Sequence, residues 1–326
     1  MLAKLRVIAC VLAMIAPAAP ASAASPGDYP NRSIRLVVPF VAGGSTDIVA
    51  RLVAQRLTET WDRQVVVDNR SGGNGAIGME IVARATPDGY TLVLGYIANL
   101  GTGPALNPKL PYDAIKDFAP ISHIVTAPSI AVLHSGVPAK NLQELIALAR
   151  VKPGAIAWGT SAIGSIGHMS GELLNRLANV QMTHVPYKGG GQAVIDVVAG
   201  QIPMVIIGMT AATPHLRSGR LRAIATTGAK RSFAFADVPT VAEQGFPGFA
   251  ADAWYGLLTT AGTPRPVVDK LYSEVVRIMK LPESKERMAN VGFEIVASTP
   301  AEFATLIREE IPKWTRLVRE AGIRAE

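Results

Sequence analysis

Apolar positions along the chain switch between two periods. Ile34 to Pro39 is a near-continuous apolar run, as a strand buried on both faces of a parallel sheet requires. Ile48, Leu52, Val53 and Leu57 then recur at helical spacing. The alternation continues with a strand at Val65-Val66-Val67, a turn-rich loop from Asp68 to Gly75 and a helix from Ile77 to Ala85. The turn Pro87-Asp88-Gly89 then leads into a strand from Thr91 to Leu94. This βαβαβ order predicts an α/β fold with a mostly parallel sheet.

Farther on, Ile121 to Leu133 is a longer β-rich stretch without a break, as expected of a crossing into a second lobe. Asn141 caps a helix that runs to Arg150 and bears Leu142, Leu145, Ile146 and Leu148. Strands are predicted at Ala155 to Trp158, Thr183 to Tyr187, Met204 to Ile207 and Leu221 to Thr226, with helices at Met169 to Leu177 and Gln192 to Ala199. Trp254 to Thr259 reads as the return strand. Helices follow at Pro266 to Lys280, Ser284 to Asn290 and Pro300 to Ala321, the last two flanking a strand from Phe293 to Val296. Thr299-Pro300-Ala301-Glu302 is a capping box with proline at the first helical position.

Two glycine-rich loops stand between an apolar strand and a helix: Ala42-Gly43-Gly44-Ser45-Thr46-Asp47 and Gly159-Thr160-Ser161-Ala162-Ile163-Gly164-Ser165-Ile166-Gly167-His168. A bare loop at a helix N-terminus leaves convergent backbone N–H groups with the positive end of the helix dipole behind them, which suits an anion. Two such sites a domain's length apart predict one anionic ligand held between two lobes. Neither loop has an arginine or lysine between Ala42 and Ser45 or between Gly159 and Gly167, so amides, hydroxyls and water must meet the anion. Asp47, in the first helical turn, is expected to cap its own loop's amides. Trp158 and Trp254 sit at strand ends near the expected cleft, with core packing and cleft lining both open.

The N-terminus reads as a secretory signal: Lys4 and Arg6, an apolar stretch from Val7 to Ala16, and an A-x-A site at Ala21-Ser22-Ala23. The stretch is too short to span a bilayer. Cleavage after Ala23 would remove Cys10, the only cysteine, in keeping with an exported protein that avoids unpaired thiols. It would also remove two basic residues and no acid from a net charge of +7, leaving +5. No stretch carries five or six like charges, which argues against a nucleic-acid arm or a polybasic membrane patch.

Other chemistry is weakly supported. Gly73-Asn74-Gly75-Ala76-Ile77-Gly78 matches a dinucleotide fingerprint. The next strand, however, ends in Gly95-Tyr96 without the required acid, so a tight turn with close helix packing is expected. The histidines at 123, 134, 168, 184 and 215 have no ligand spacing for zinc. Ser161, Ser165 and His168 lack a base-orienting acid, and anion binding explains their hydroxyl-rich loop as well as catalysis does.

Taken together, these features resemble the substrate-binding proteins of tripartite tricarboxylate transporters, the Bug family. The resemblance covers nearly the whole chain after the signal. It is carried by Tyr29-Pro30, Val38-Pro39-Phe40-Val41-Ala42-Gly43-Gly44-Ser45-Thr46-Asp47, Val67-Asp68-Asn69-Arg70 and Pro87-Asp88-Gly89-Tyr90-Thr91-Leu92. It continues in Gly159-Thr160-Ser161 with Gly167-His168, His184-Val185-Pro186-Tyr187-Lys188-Gly189, Asp237-Val238-Pro239-Thr240-Val241-Ala242-Glu243 and Trp254-Tyr255-Gly256-Leu257 with Ala261-Gly262-Thr263-Pro264. It implies a periplasmic two-lobed protein of the Venus-flytrap, type II-like fold, each lobe a mostly parallel sheet flanked by helices. Such a protein hands a carboxylated solute to membrane permease subunits. The Ala42 to Asp47 loop would receive a carboxylate through amides and ordered waters, and the Thr160 to His168 loop would supply the other lobe's contacts. Two departures stand out. Pro203 and Ile207 occupy positions where acids are common, which disfavours a ligand ammonium group. Leu258-Thr259-Thr260 replaces an apolar-proline approach to Ala261.

The combined expectation is a signal peptide at 1–23, a first lobe of 27–127 plus 253–326, and a second lobe of 128–252. The ligand-contacting residues are expected among Phe40, Ala42, Gly43, Gly44, Ser45, Asp47, Asn99, Thr160, Ser161, Gly164, Ser165 and His168. No catalytic residue, metal, cofactor or nucleic acid is expected, and a monomer is. A periplasmic sensor that signals to a membrane partner would use the same cleft and is the rival reading.

Overall fold

A computed structural model describes residues 29–187 and 189–324, so the expected signal at 1–23 and Lys188 of the sixth motif lie outside the described residues. The chain begins with the predicted alternation: β1 (Ile34–Val38), α1 (Ser45–Trp61), β2 (Val65–Asn69), α2 (Ala76–Ala83) and β3 (Thr91–Tyr96). Strand β1 is buried on both faces, with Leu36, Val37 and Val38 fully covered, because helices pack on either side of it. Helix α1 turns Val49, Leu52, Val53 and Leu57 inward. The Gly73 to Gly78 stretch is the tight turn expected. Gly73 and Gly75 have positive φ, and a Cβ on Gly78 would lie 2.8 Å from the Pro39 backbone.

A π-helical turn (Ala98–Thr102) and α3 (Gly103–Leu106) lead to β4 (Phe118–His134), the long strand predicted as a crossing. The following elements are α4 (Leu142–Val151), β5 (Ala157–Thr160), α5 (Ile166–Ala178), β6 (Thr183–Pro186), α6 (Gly190–Val198), β7 (Met204–Gly208), α7 (Met209–Arg217) and β8 (Leu221–Thr226). The chain returns through β9 (Asp252–Thr260) and finishes with α8 (Arg265–Lys280), α9 (Pro282–Asn290), β10 (Glu294–Ile295) and α10 (Pro300–Ala321). Both predicted helix caps form. Asn141 accepts from the Glu144 amide at 2.9 Å, and Thr299 and Glu302 exchange the two bonds of a capping box.

The strands lie in the order β2-β1-β3-β9-β4-β7-β5-β6, with β8 and β10 also on β4. The parallel pairs expected from the βαβ pattern are β2-β1-β3 and β6-β5-β7. The crossing strands add antiparallel pairs, because β9 runs back against both β3 and β4, so the sheet is mixed. Strand β4 pairs with β9 as far as Pro128, opposite Asp252. From Ser129 onward it pairs with β7 and β8. At this changeover the Thr227 hydroxyl, 2.9 Å from both the Ser129 amide and the Ala251 carbonyl, ties the outgoing strand to the returning one. Thr259 and Thr260, the departure noted before Ala261, bond the Thr91 and Val82 carbonyls and staple β9 to β3 and α2.

Candidate functional site

Both glycine loops have the same internal construction. In the first, the Gly43 amide donates to Asp47 Oδ2, four residues on, at 2.9 Å. In the second, the Gly164 amide donates to His168 Nδ1, also four residues on, at 3.0 Å. Each glycine has positive φ, +81° and +73°, which lets the loop curl back over its helix. Asp47 is buried and also accepts from Arg51 Nε at 2.7 Å and Asn69 Nδ2 at 3.0 Å. Burial alone would raise its carboxyl pKa. The bonds from Arg51, Gly43 and Asn69 outweigh that and hold it below the usual carboxylate range. His168 stacks on His184 with ring centroids 3.9 Å apart, over Trp158. Burial pushes His168 down to about 4, so at neutral pH it is an uncharged acceptor for the Gly164 amide. His184 lies 2.7 Å from the Thr160 hydroxyl, which in turn donates to the Ala162 carbonyl.

The two loops meet around a cavity of about 180 Å³. Ser45 lines it from the N-terminus of α1, Ser161 and Ser165 line it from the second loop, and Gly167 lines it from α5. Gly208 and Met209 bring a third helix N-terminus, that of α7. Neither α1 nor α7 has a side-chain cap, since each is preceded by glycine. Their first amides are therefore free for a ligand. Helix α5 is capped by Ser165, which accepts from the His168 amide. A Cβ on Gly167 would come within 2.3 Å of the Ile206 carbonyl, so only glycine lets α5 sit this close to β7.

The opposite wall holds Tyr96 and Tyr255, neighbours across β3 and β9, with rings stacked at 4.8 Å and Phe40 edge-on to Tyr96. Burial pushes the Tyr96 phenol up to about 12 and Tyr255 well above its usual value, so both stay protonated, and their hydroxyls are hydrogen-bonded to each other, with Ser45 bonded to Tyr255. No charged side chain lines the cavity among the described residues. Three helix N-termini, serine and tyrosine hydroxyls and an uncharged surface suit an anion that brings its own charge.

Of the residues expected to touch ligand, Ser45, Ser161 and Ser165 line this cavity. Asp47, Thr160 and His168 are buried behind its walls and are already engaged, whereas Asn99 is buried and bonded through Oδ1 alone, its Nδ2 having no hydrogen-bond partner among the described residues. Asn99 Oδ1 accepts from the Tyr96 amide and so holds that strand end. The Gly164 carbonyl accepts from the Thr102 hydroxyl at 3.2 Å, a direct bond from the π-helical turn to the second loop. Phe40 acts through its contact with Tyr96, and Ala42, Gly43 and Gly44 form the turn before α1. Trp158 and Trp254 are both core residues: Trp158 lies against Gly171, and Trp254 reaches Glu310.

Sequence reasoning missed Tyr96, Tyr255 and the α7 N-terminus. The tyrosines meet only through strand register. Pro214 inside α7 hid that helix, since proline reads as a break. The absent acids are consistent with this wall: Ile207 lines the cavity, and Asp252 does not. Instead, Asp252 is half-buried beside the strand changeover, where desolvation pushes it up to about 6.

The family model described as the tripartite tricarboxylate transporter family receptor matches residues 49–323, and the chain belongs to that family. It is 36% identical to BugT of Bordetella pertussis, covering 97% of this chain and 98% of the relative. Among solved structures it is similar to R. palustris Rpa4515 with adipate, at 34% identity and TM-score 0.79, covering 91% of this chain and 99% of that one. It also resembles the periplasmic binding protein BugD, at 34% identity and TM-score 0.75, covering 91% and 100%. These likenesses establish a solute-binding receptor with a periplasmic-binding-protein fold.

Proposed function

We propose that the protein captures a small carboxylate between its lobes and delivers it to the membrane subunits of a tripartite transporter. One observation carries this: the uncapped N-termini of α1 and α7 and the α5 N-terminus converge on one uncharged cavity. The carboxylate is met by the amides after Gly44 and Gly208 and by the hydroxyls of Ser45, Ser161, Ser165, Tyr96 and Tyr255. Asp47, Asn99, Thr160 and His168 position those groups without touching ligand. With no acid on the wall, plain carboxylates are preferred to amino acids.

The lobes are 27–127 plus 253–326 and 128–252. The β4 changeover between Pro128 and Ser129 and the return at Asp252 support these boundaries. The ligand shifts the open–closed equilibrium by the contacts it gains in the closed state. The chain is exported by a signal ending at Ala23, works as a monomer in the periplasm, and carries out no catalysis. Membership of a transporter-receptor family favours delivery over sensing.

The test is Gly44→Val. Gly44 has ordinary φ, and a Cβ there meets only the Val41 carbonyl at 3.5 Å, so the fold tolerates the change. The added methyls crowd the amides that receive the anion. Calorimetric titration with a panel of mono- and dicarboxylates is expected to lose about 1–3 kcal/mol of binding at an unchanged melting temperature. Undiminished affinity removes this loop from the site.

A further inference from the structure

The cavity between the loops does not end the cleft. A second compartment of about 390 Å³ adjoins it and shares Met209 and Gly292 with it. The first compartment is smaller than ordinary small-molecule sites, which run from ~300 to 1,000 Å³. The second falls inside that range. Helix α7 underlies both: Met209 is at the junction, and Arg217, eight residues on, lines the far compartment. That span is about 12 Å of helix.

The far compartment differs in chemistry from the first. Phe233 is 53% exposed and borders this space with Phe235 and Pro214. Arg217 is the only charged residue on the wall among the described residues, and no acid lies beside it there. It makes no ion pair or hydrogen bond among the described residues. A cation in the last turn suits the helix dipole anywhere on a surface. Here it also cancels the negative end of α7, which would otherwise repel an anion.

We infer that Arg217 and Phe233 form a second subsite, and that the ligand is an elongated dicarboxylate with an aromatic or long methylene body. One carboxylate sits at the helix N-termini. The body lies along α7 against Phe233, and the other carboxylate reaches Arg217. The inference rests on the carboxylate-receptor reading above and specifies its ligand class. A four-carbon diacid fills the first compartment and leaves the Arg217 subsite unused.

The test titrates the purified protein calorimetrically with benzoate, succinate, adipate, suberate and terephthalate. Terephthalate or suberate is expected to bind at least tenfold tighter than succinate. Arg217→Gln is expected to weaken the tightest diacid tenfold or more and to change benzoate less than twofold. Arg217→Lys restores part of the loss, and Phe233→Ala weakens terephthalate several-fold. Arg217 and Phe233 are exposed, so unchanged circular dichroism is expected for each variant. Equal affinity for succinate and the longest diacids, or a diacid affinity indifferent to Arg217→Gln, overturns the subsite while leaving the carboxylate receptor intact. Failure of every acid in the series to bind overturns both.

Discussion

The loop after β1 and the loop after β5 solve one problem with different chemistry. In each, a glycine amide at positive φ is tied to a side chain four residues along the following helix. The first loop uses a carboxylate, and its charge is met by Arg51 and Asn69, neither of which lines the cavity. The second uses a neutral imidazole stacked on another, with the Glu172 carboxyl 3.8 Å from its Nε2 and no cation in contact among the described residues. A carboxylate in the second position would face the ligand's own charge without a counter-ion. An anion site built from amides needs acceptors to fix those amides. Each acceptor must be neutral or already neutralised.

Breaking the first anchor should have the largest effect. Asp47→Ala leaves the Gly43 amide and Arg51 Nε without their acceptor, while Asn69 Nδ2 keeps only the Phe40 carbonyl. A loss of about 3 kcal/mol in denaturant unfolding is expected, since bonds to charged groups contribute ~1.5–3 kcal/mol each and Arg51 is half exposed. If Asp47→Ala unfolds no more easily than a surface variant, the charged anchor is incidental. His168→Ala removes one neutral bond and the ring stacked on His184, so about 1–2 kcal/mol is expected in the same measurement. Equal costs for the two variants would erase the distinction drawn here.

Acid should separate the anchors. His168 has a folded pKa of about 4 against an ordinary 6.5, so the unfolded chain takes up its proton first. Its stabilising contribution is complete above pH 6.5 and falls as the pH drops toward 4, at about 1.4 kcal/mol per pH unit. His123, down to about 4, and His184, down to about 3, act in the same direction, and burial is the main cause in each. Asp252, raised to about 6, opposes them. Asp47 keeps its charge until the pH is below the ordinary aspartate value of 3.8. Melting temperature should therefore decline from pH 6.5 to 4, and the decline should be shallower in His168→Asn. Amide exchange should accelerate at Gly164 before Gly43, and simultaneous release would contradict the assignment.

The glycines give a smaller contrast. Gly43→Ala meets no atom within 4 Å and suffers only the positive φ, about 1 kcal/mol. Gly164→Ala adds a Cβ 2.4 Å from Leu106 Cδ1 across the interface, so ligand affinity should fall more than stability. The smallest effect is expected from Thr102→Val, which removes the bond to the Gly164 carbonyl and should weaken apparent ligand affinity a few-fold by favouring the open state. Affinity unchanged in both variants would mean that this contact does not couple to ligand capture.

Much of this molecule is written in local pattern. The run Ile34 to Pro39, the spacing of Leu52, Val53 and Leu57, and the capping residues Asn141 and Thr299 report elements that depend on near neighbours. The two glycine loops were legible for the same reason, since strand, bare loop and helix are adjacent in the chain. So was the role of Asp47 as a cap, a contact only four residues long. His168 shares that spacing, yet its place as an anchor and not a ligand contact depends on His184 and Trp158, which β5 and β6 bring beside it.

By itself, the sequence determined most of the segments that become strands and helices, and that the two glycine loops carry amides and hydroxyls in place of arginines. Only the tertiary structure decided which groups surround the cavity. Tyr96 and Tyr255 lie on strands far apart in the chain and meet through antiparallel register. The α7 N-terminus reaches the cavity because β7 pairs with both β4 and β5. Periodicity reports which face of an element is buried, but register and crossing decide what that face is buried against, and the site is made at such crossings.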